Sequence, residues 1–214
     1  RNDQGIPMTE MLGGSAFART TAGDAAAPTP APSLGSEIGT LIEIAGSGGQ
    51  VLLDPDAVAG YAADPDLVLA SAGSVGAQIK IRIGACWMIA NVRSLRLVDA
   101  GILAQIDFLG EGDEERLTGK LYKFRRGVTR YPSPGAAVFP VSTADLKQIY
   151  AADDRANVEI GTVYPTKDIR ASLYVDAMLG KHFALLGSTG TGKSTSAALI
   201  LHKICELAPH GHIV

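Results

Sequence analysis

Cysteine is nearly absent from this 214-residue chain: Cys86 and Cys205 are the two it has, far apart and each inside an apolar run. Both are expected to be free, buried, structural thiols. Aromatic residues are also scarce, at 6%, so a core has to be built from Ile, Leu, Val and Ala. No apolar run approaches the ~18 to 20 residues of a membrane span, and no charged start is followed by an apolar stretch, so no membrane association and a cytoplasmic location are expected. There is no excess of positive charge either. The 19 basic residues against 22 acidic ones give a net charge of −3, which excludes a wholly basic nucleic-acid coat while leaving room for a local basic patch. What is plentiful is glycine, with 25 residues, implying many turns between short elements.

The sequence opens on Arg1, so residues 1–7 either continue an upstream N-terminus or are foreign to the natural chain. Ala, Thr and Pro dominate from Ala18 to Pro32 with no large apolar residue, a composition that cannot offset chain entropy by burial. Residues 1–36 are therefore expected to be a flexible tail. From Ile38 the pattern becomes short runs punctuated by glycine: Ile38–Ile44 and Gln50–Asp54, about a Ser47-Gly48-Gly49 turn, predict a hairpin. Ala77–Ile83, Cys86–Val98, Ile102–Leu109, Glu115–Phe124 and Ala136–Val141 predict further strands. In Ile79-Lys-Ile-Arg-Ile83 the strict period of two puts both charges on one face and three isoleucines on the other, as in a half-buried strand. Ser142 or Thr143 should cap a helix running to Ala151, and Asn157–Val163 should supply a last barrel strand. Strands at this spacing predict a small, mostly antiparallel β-barrel or sandwich over residues 37–170, followed by a different architecture over 171–214.

That second part holds the strongest motif. Gly187-Ser188-Thr189-Gly190-Thr191-Gly192-Lys193-Ser194 satisfies G-x-x-x-x-G-K-[ST], with Thr195 next. An apolar strand is predicted before it at His182–Leu186. A helix is predicted after it, since Ala197, Ile200, Leu201, Ile204 and Cys205 recur at helical spacing up to Pro209 and Gly211. Gly187, Gly190 and Gly192 let the backbone wrap phosphates with its N–H groups inward, and a helix N-terminus favours negative charge. Lys193 is expected to reach the β- and γ-phosphates, Ser194 to ligate Mg²⁺ and Thr195 to lie near the α-phosphate, with Ser188, Thr189 and Thr191 completing the loop. ATP and Mg²⁺ are the expected cofactors. A glycine-rich turn without nucleotide is the structural alternative, and the Lys193–Ser194 pair weighs against it. The sequence stops at His212-Ile-Val214, in what reads as the next strand. Acidic and arginine-finger positions are thus expected beyond residue 214, no catalytic residue is identifiable, and this polypeptide alone is expected to be inactive as an ATPase.

A β-rich N-terminal part leading into Lys181-His182-Phe-Ala-Leu-Leu-Gly-Ser-Thr-Gly-Thr-Gly-Lys-Ser-Thr195 resembles the HerA family of hexameric DNA translocases. The resemblance covers about residues 37–214. It implies a barrel followed by the first strand, P-loop and helix of an α/β RecA-like motor domain. It also implies a ring, a homo-oligomer of six subunits with ATP between neighbours and double-stranded DNA in the pore. A nuclease of the NurA type, or another effector in DNA end processing or anti-phage defence, is the implied partner. Two other readings share these features: an ATP-responsive ring scaffold that activates an effector without translocating, and a rotary or secretion-type ATPase subunit.

Other features favour structural readings. Lys120, Lys123, Arg125, Arg126 and Arg130 follow Glu111, Asp113, Glu114 and Glu115, and such adjacent opposite blocks fit a hairpin or subunit contact better than a DNA track. His202, His210 and His212 lack metal-ligand spacing. His182 reads as a strand residue, and Trp87 as barrel core or interface.

Overall fold

The computed structural model describes residues 35–115 and 117–207. The predicted tail, apart from Gly35 and Ser36, and everything after Leu207 lie outside the described residues, including Pro209, Gly211 and the strand expected at His212–Val214.

Six antiparallel strands close into a barrel. In chain order they are β1 (Gly39–Ala45), β2 (Gly48–Leu53), β3 (Gln78–Ile83), β4 (Cys86–Val98), β5 (Gly101–Glu114) and, after one further strand, β7 (Ala137–Pro140). Round the barrel the order is β2-β1-β7-β3-β4-β5, and β5 returns to β2 to remove both sheet edges. The intervening strand, β6 (Leu121–Arg126), extends the sheet outside the closed circle. β4 occupies one edge of β5, whereas the other edge pairs with β2 over Ile102–Asp107 and with β6 over Gly110–Glu114.

Alternation fills the barrel. Ile38, Leu41, Val51, Leu53, Ile79, Ile81, Met88, Ala90, Val92, Ala104, Ile106 and Val138 form its buried interior. The other face of β4 contributes Trp87 and Ile89 to a second cluster beneath α3 (Thr143–Tyr150), with Val68, Leu121, Val141, Leu146, Ile149 and Ile169. Burial on both faces explains why Cys86–Ala90 is an unbroken apolar run. Trp87 is fully buried; its indole N–H donates to Gly119 O at 3.2 Å and its ring meets Phe139 edge-on.

The same covering changes β3. Ile79 and Ile81 face inward as expected, but Lys80 is buried instead of solvated, because α3 lies over its face. Its ammonium donates to Asp145 Oδ2 at 2.8 Å and lies 5.0 Å from the Trp87 ring centre. Asp145, the third residue of α3, also accepts from Leu121 N–H and Ser142 N–H, and forms a capping box with Ser142, the helix N-cap. Burial alone would push the Asp145 carboxyl up, but the Lys80 charge and these hydrogen bonds outweigh it and hold the group below its usual value.

Two further elements went unpredicted in the barrel part: α1 (Pro55–Gly60), capped by Asp54, and the single turn α2 (Leu67–Ala70), capped by Asp66. Asn157–Val163 is also corrected. It forms β8 (Asn157–Thr162), which pairs with the unpredicted β9 (Arg170–Tyr174) in a separate two-stranded sheet and takes no place in the barrel. A short helix, α4 (Val175–Leu179), follows directly.

Candidate functional site

The predicted helix after the motif forms as α5 (Lys193–Leu207). Ile200 and Ile204, four residues apart, face Val158 of β8 and Val175 of α4, and this small cluster anchors the helix. The anticipated apolar stripe is narrower than its spacing suggested. Leu201 and Cys205 are exposed, so the expectation of two buried thiols holds for Cys86 alone. The strand expected at His182–Leu186 is not formed. These residues have no ladder partner among the described residues, and Phe183 and Leu186 are 57% and 90% exposed. An extended segment becomes a strand only through hydrogen bonds to a neighbour.

The loop itself curls tightly between Gly187 and Lys193. Gly190 and Gly192 take φ values of +84° and +83°, the left-handed region, with open space where a side chain would begin. Gly187 leaves room of another kind, since a Cβ there would lie 2.6 Å from Thr191 Oγ1. The carbonyl oxygen of Ser188 gathers the donors: Lys193 Nζ at 2.6 Å, Thr191 Oγ1 at 2.8 Å and, more distantly, Thr191 N–H at 3.4 Å. Ser194 and Thr195 sit exposed on the first turn of α5, and Thr189 is exposed in the loop. Gly187, Ser188, Thr191 and Lys193 are thus brought together, while the hydroxyls of Thr189, Ser194 and Thr195 make no hydrogen bond among the described residues. Convergence on a backbone oxygen was invisible to the motif, which specifies side chains.

The N-terminus of α5 suits an anion. Ser196 N–H donates to Gly192 O at 2.8 Å, but the N–H groups of Lys193, Ser194 and Thr195 have no acceptor among the described residues. No acidic side chain lies in the first turn to compete for them.

Two residues of the basic run, Arg125 and Arg130, find acidic partners within the protein. Arg125 lies opposite Glu111 across β5 and β6, with 3.7 Å between guanidinium and carboxylate. Arg130 approaches Glu111 and Asp113 at 3.8 and 3.9 Å and donates to Cys86 Sγ. Glu111 is buried and accepts from Thr129 N–H, Thr129 Oγ1 and Arg130 N–H, which ties the segment after β6 to β5. The opposite charge blocks therefore form a hairpin, as their adjacency suggested.

A family model described as the central domain of helicase HerA matches residues 158–214, beginning within β8 and running through the glycine loop. The DNA double-strand break repair helicase HerA of Pyrococcus furiosus is 32% identical over 60% of this chain. Over these residues the chain is similar to HerA helicases. A probable helicase of Methanocaldococcus jannaschii is 26% identical over 36% of the chain. The chain spans 25% of the length of the Pyrococcus relative and 14% of that of the Methanocaldococcus one. No described helix is long and apolar enough to cross a membrane.

Proposed function

We propose that the Gly187–Thr195 loop binds ATP with Mg²⁺ and that the complete protein is an ATP-dependent DNA translocase or helicase. The carrying observation is the glycine loop that delivers Lys193 and Ser194 onto the open N-terminus of α5. The residues fit the nucleotide: Gly190 and Gly192 have open space where a side chain would begin, three N–H groups lack acceptors among the described residues, and no acidic side chain lies in the first turn of α5. Gly187, Ser188, Thr189, Gly190, Thr191 and Gly192 would supply backbone around the phosphates, Lys193 a charge for the β- and γ-phosphates, and Ser194 a hydroxyl for Mg²⁺. Bound ATP supplies the transferable γ-phosphoryl group whose hydrolysis drives movement.

The division of labour follows the sheets. The closed barrel is read as the assembly module, and the separate β8–β9 sheet, with a family match that begins within β8, supports a motor portion that opens at β8. A six-membered ring on double-stranded DNA, working with a nuclease or other effector, completes this reading, with a RecA-like domain containing the loop. The Pyrococcus relative, a DNA double-strand break repair helicase by name, supports the DNA substrate.

The test is equilibrium binding of the fluorescent analogue mant-ATP with Mg²⁺. Lys193→Ala should weaken it by about 10- to 100-fold, the loss expected of a charge-assisted contact, and abolish DNA-stimulated hydrolysis by the complete protein. Equal binding by both proteins would overturn the site. A stable monomer in native mass spectrometry, with or without ATP and Mg²⁺, would overturn the ring.

A further inference from the structure

The convergence on the Ser188 carbonyl has a consequence for how the loop receives its ligand, and it rests on the nucleotide reading above. Lys193 is not waiting in solvent: its ammonium donates to Ser188 O at 2.6 Å, and a lysine so held has to leave that oxygen before it can reach a phosphate. The same oxygen accepts the Thr191 hydroxyl at 2.8 Å. We propose that Thr191 is a positioning residue whose hydroxyl holds the Ser188 carbonyl and thereby frees Lys193 for phosphate.

Two physical effects act in the same direction. A carbonyl oxygen has two lone pairs, and two donors sharing it each bond less strongly than one donor alone. When the ammonium withdraws, the Thr191 hydroxyl stays, so the oxygen keeps a close partner. Without that hydroxyl the remaining donor among the described residues is Thr191 N–H at 3.4 Å, a poor substitute. Gly187 belongs to the same device, because any side chain there would meet the Thr191 hydroxyl.

Thr191→Val removes the hydroxyl and keeps the shape of the side chain; Thr191→Ser keeps the hydroxyl. Thr191→Val should bind mant-ATP with Mg²⁺ about three- to tenfold more weakly, the range of one modest hydrogen bond, and Thr191→Ser should restore binding. A second readout needs no nucleotide: the rate at which N-acetoxysuccinimide acetylates Lys193, followed by peptide mass spectrometry. A lysine held more tightly should be acetylated more slowly in Thr191→Val, whereas a loop merely loosened by the substitution would expose it and raise the rate. Unchanged affinity with an unchanged rate, or faster acetylation, overturns the proposal. Failure of the nucleotide reading is distinguishable: mant-ATP would then bind wild type and Lys193→Ala alike, while the acetylation rates would still report on Thr191.

Discussion

The barrel and the β8–α5 region differ in where their backbone hydrogen bonds and their apolar surface go. Twelve side chains form the barrel's interior, and a second cluster seals Trp87 and Ile89 under α3. The later region has a small cluster of four buried side chains, Val158, Val175, Ile200 and Ile204, with Ile169 buried in the cluster beneath α3 instead, and the loop that carries the motif is exposed throughout most of its length. The barrel satisfies its polar groups internally by closing. At the start of α5, N–H groups have no acceptor among the described residues, and the proposed anion site rests on them. Buried packing and the proposed binding loop are thus concentrated in different parts of the chain.

The sharpest way to break this comparison is Trp87→Ala. Removing a fully buried indole should cost about 3–5 kcal/mol and lower the urea midpoint of barrel unfolding. A change within error would mean that the layer beneath α3 contributes nothing to the barrel. Next is Asp145→Asn, which leaves the Lys80 ammonium buried without its counter-charge and should cost about 3 kcal/mol near neutral pH. The sign with pH is defined. The folded-state pKa of Asp145 lies below its usual 3.8, so its stabilisation is complete above the unfolded value and is lost as pH falls through the folded one. Urea titrations across the acid range should show this loss in wild type, with a smaller decline in Asp145→Asn; identical acid limbs would remove the pair from the account. The smallest effect, about 2 kcal/mol, is expected for Ile204→Ala. Hydrogen exchange should show lost protection in β8, β9 and α5 with the barrel strands unchanged. Equal losses in the barrel would show that the two regions open together.

Much of the barrel was legible because its strands alternate. Ile79 and Ile81 announced the inner face of β3, and Ser142 announced the start of α3. Lys80 was misread as solvated because a period of two reports which residues share a face and not what covers that face. Asp145, sixty-five residues further on, supplies the missing information only once α3 is placed. α1 and α2 escaped because they are too short for apolar periodicity, although Asp54-Pro55 is a start signal in retrospect. His182–Leu186 was overread: its apolar composition suits a strand, but pairing depends on a neighbour that composition does not name. The loop was legible in its side chains and not in its backbone, so Lys193 was anticipated and its hold on Ser188 O was not.

The position of β7 has a bearing on how the protein is made. This last barrel strand in the sequence inserts between β1 and β3, so that Gly39 pairs with Val138 across most of the domain's length. During synthesis the earlier hairpins can form as they emerge from the ribosome, but the circle cannot be completed until Ala137–Pro140 is also outside the exit tunnel. Until then β1 and β3 each present an unpaired edge, which makes the nascent chain vulnerable to pairing with another copy. A closing contact of such long range also predicts slow, non-local folding, so the pace of translation through this stretch bears directly on yield.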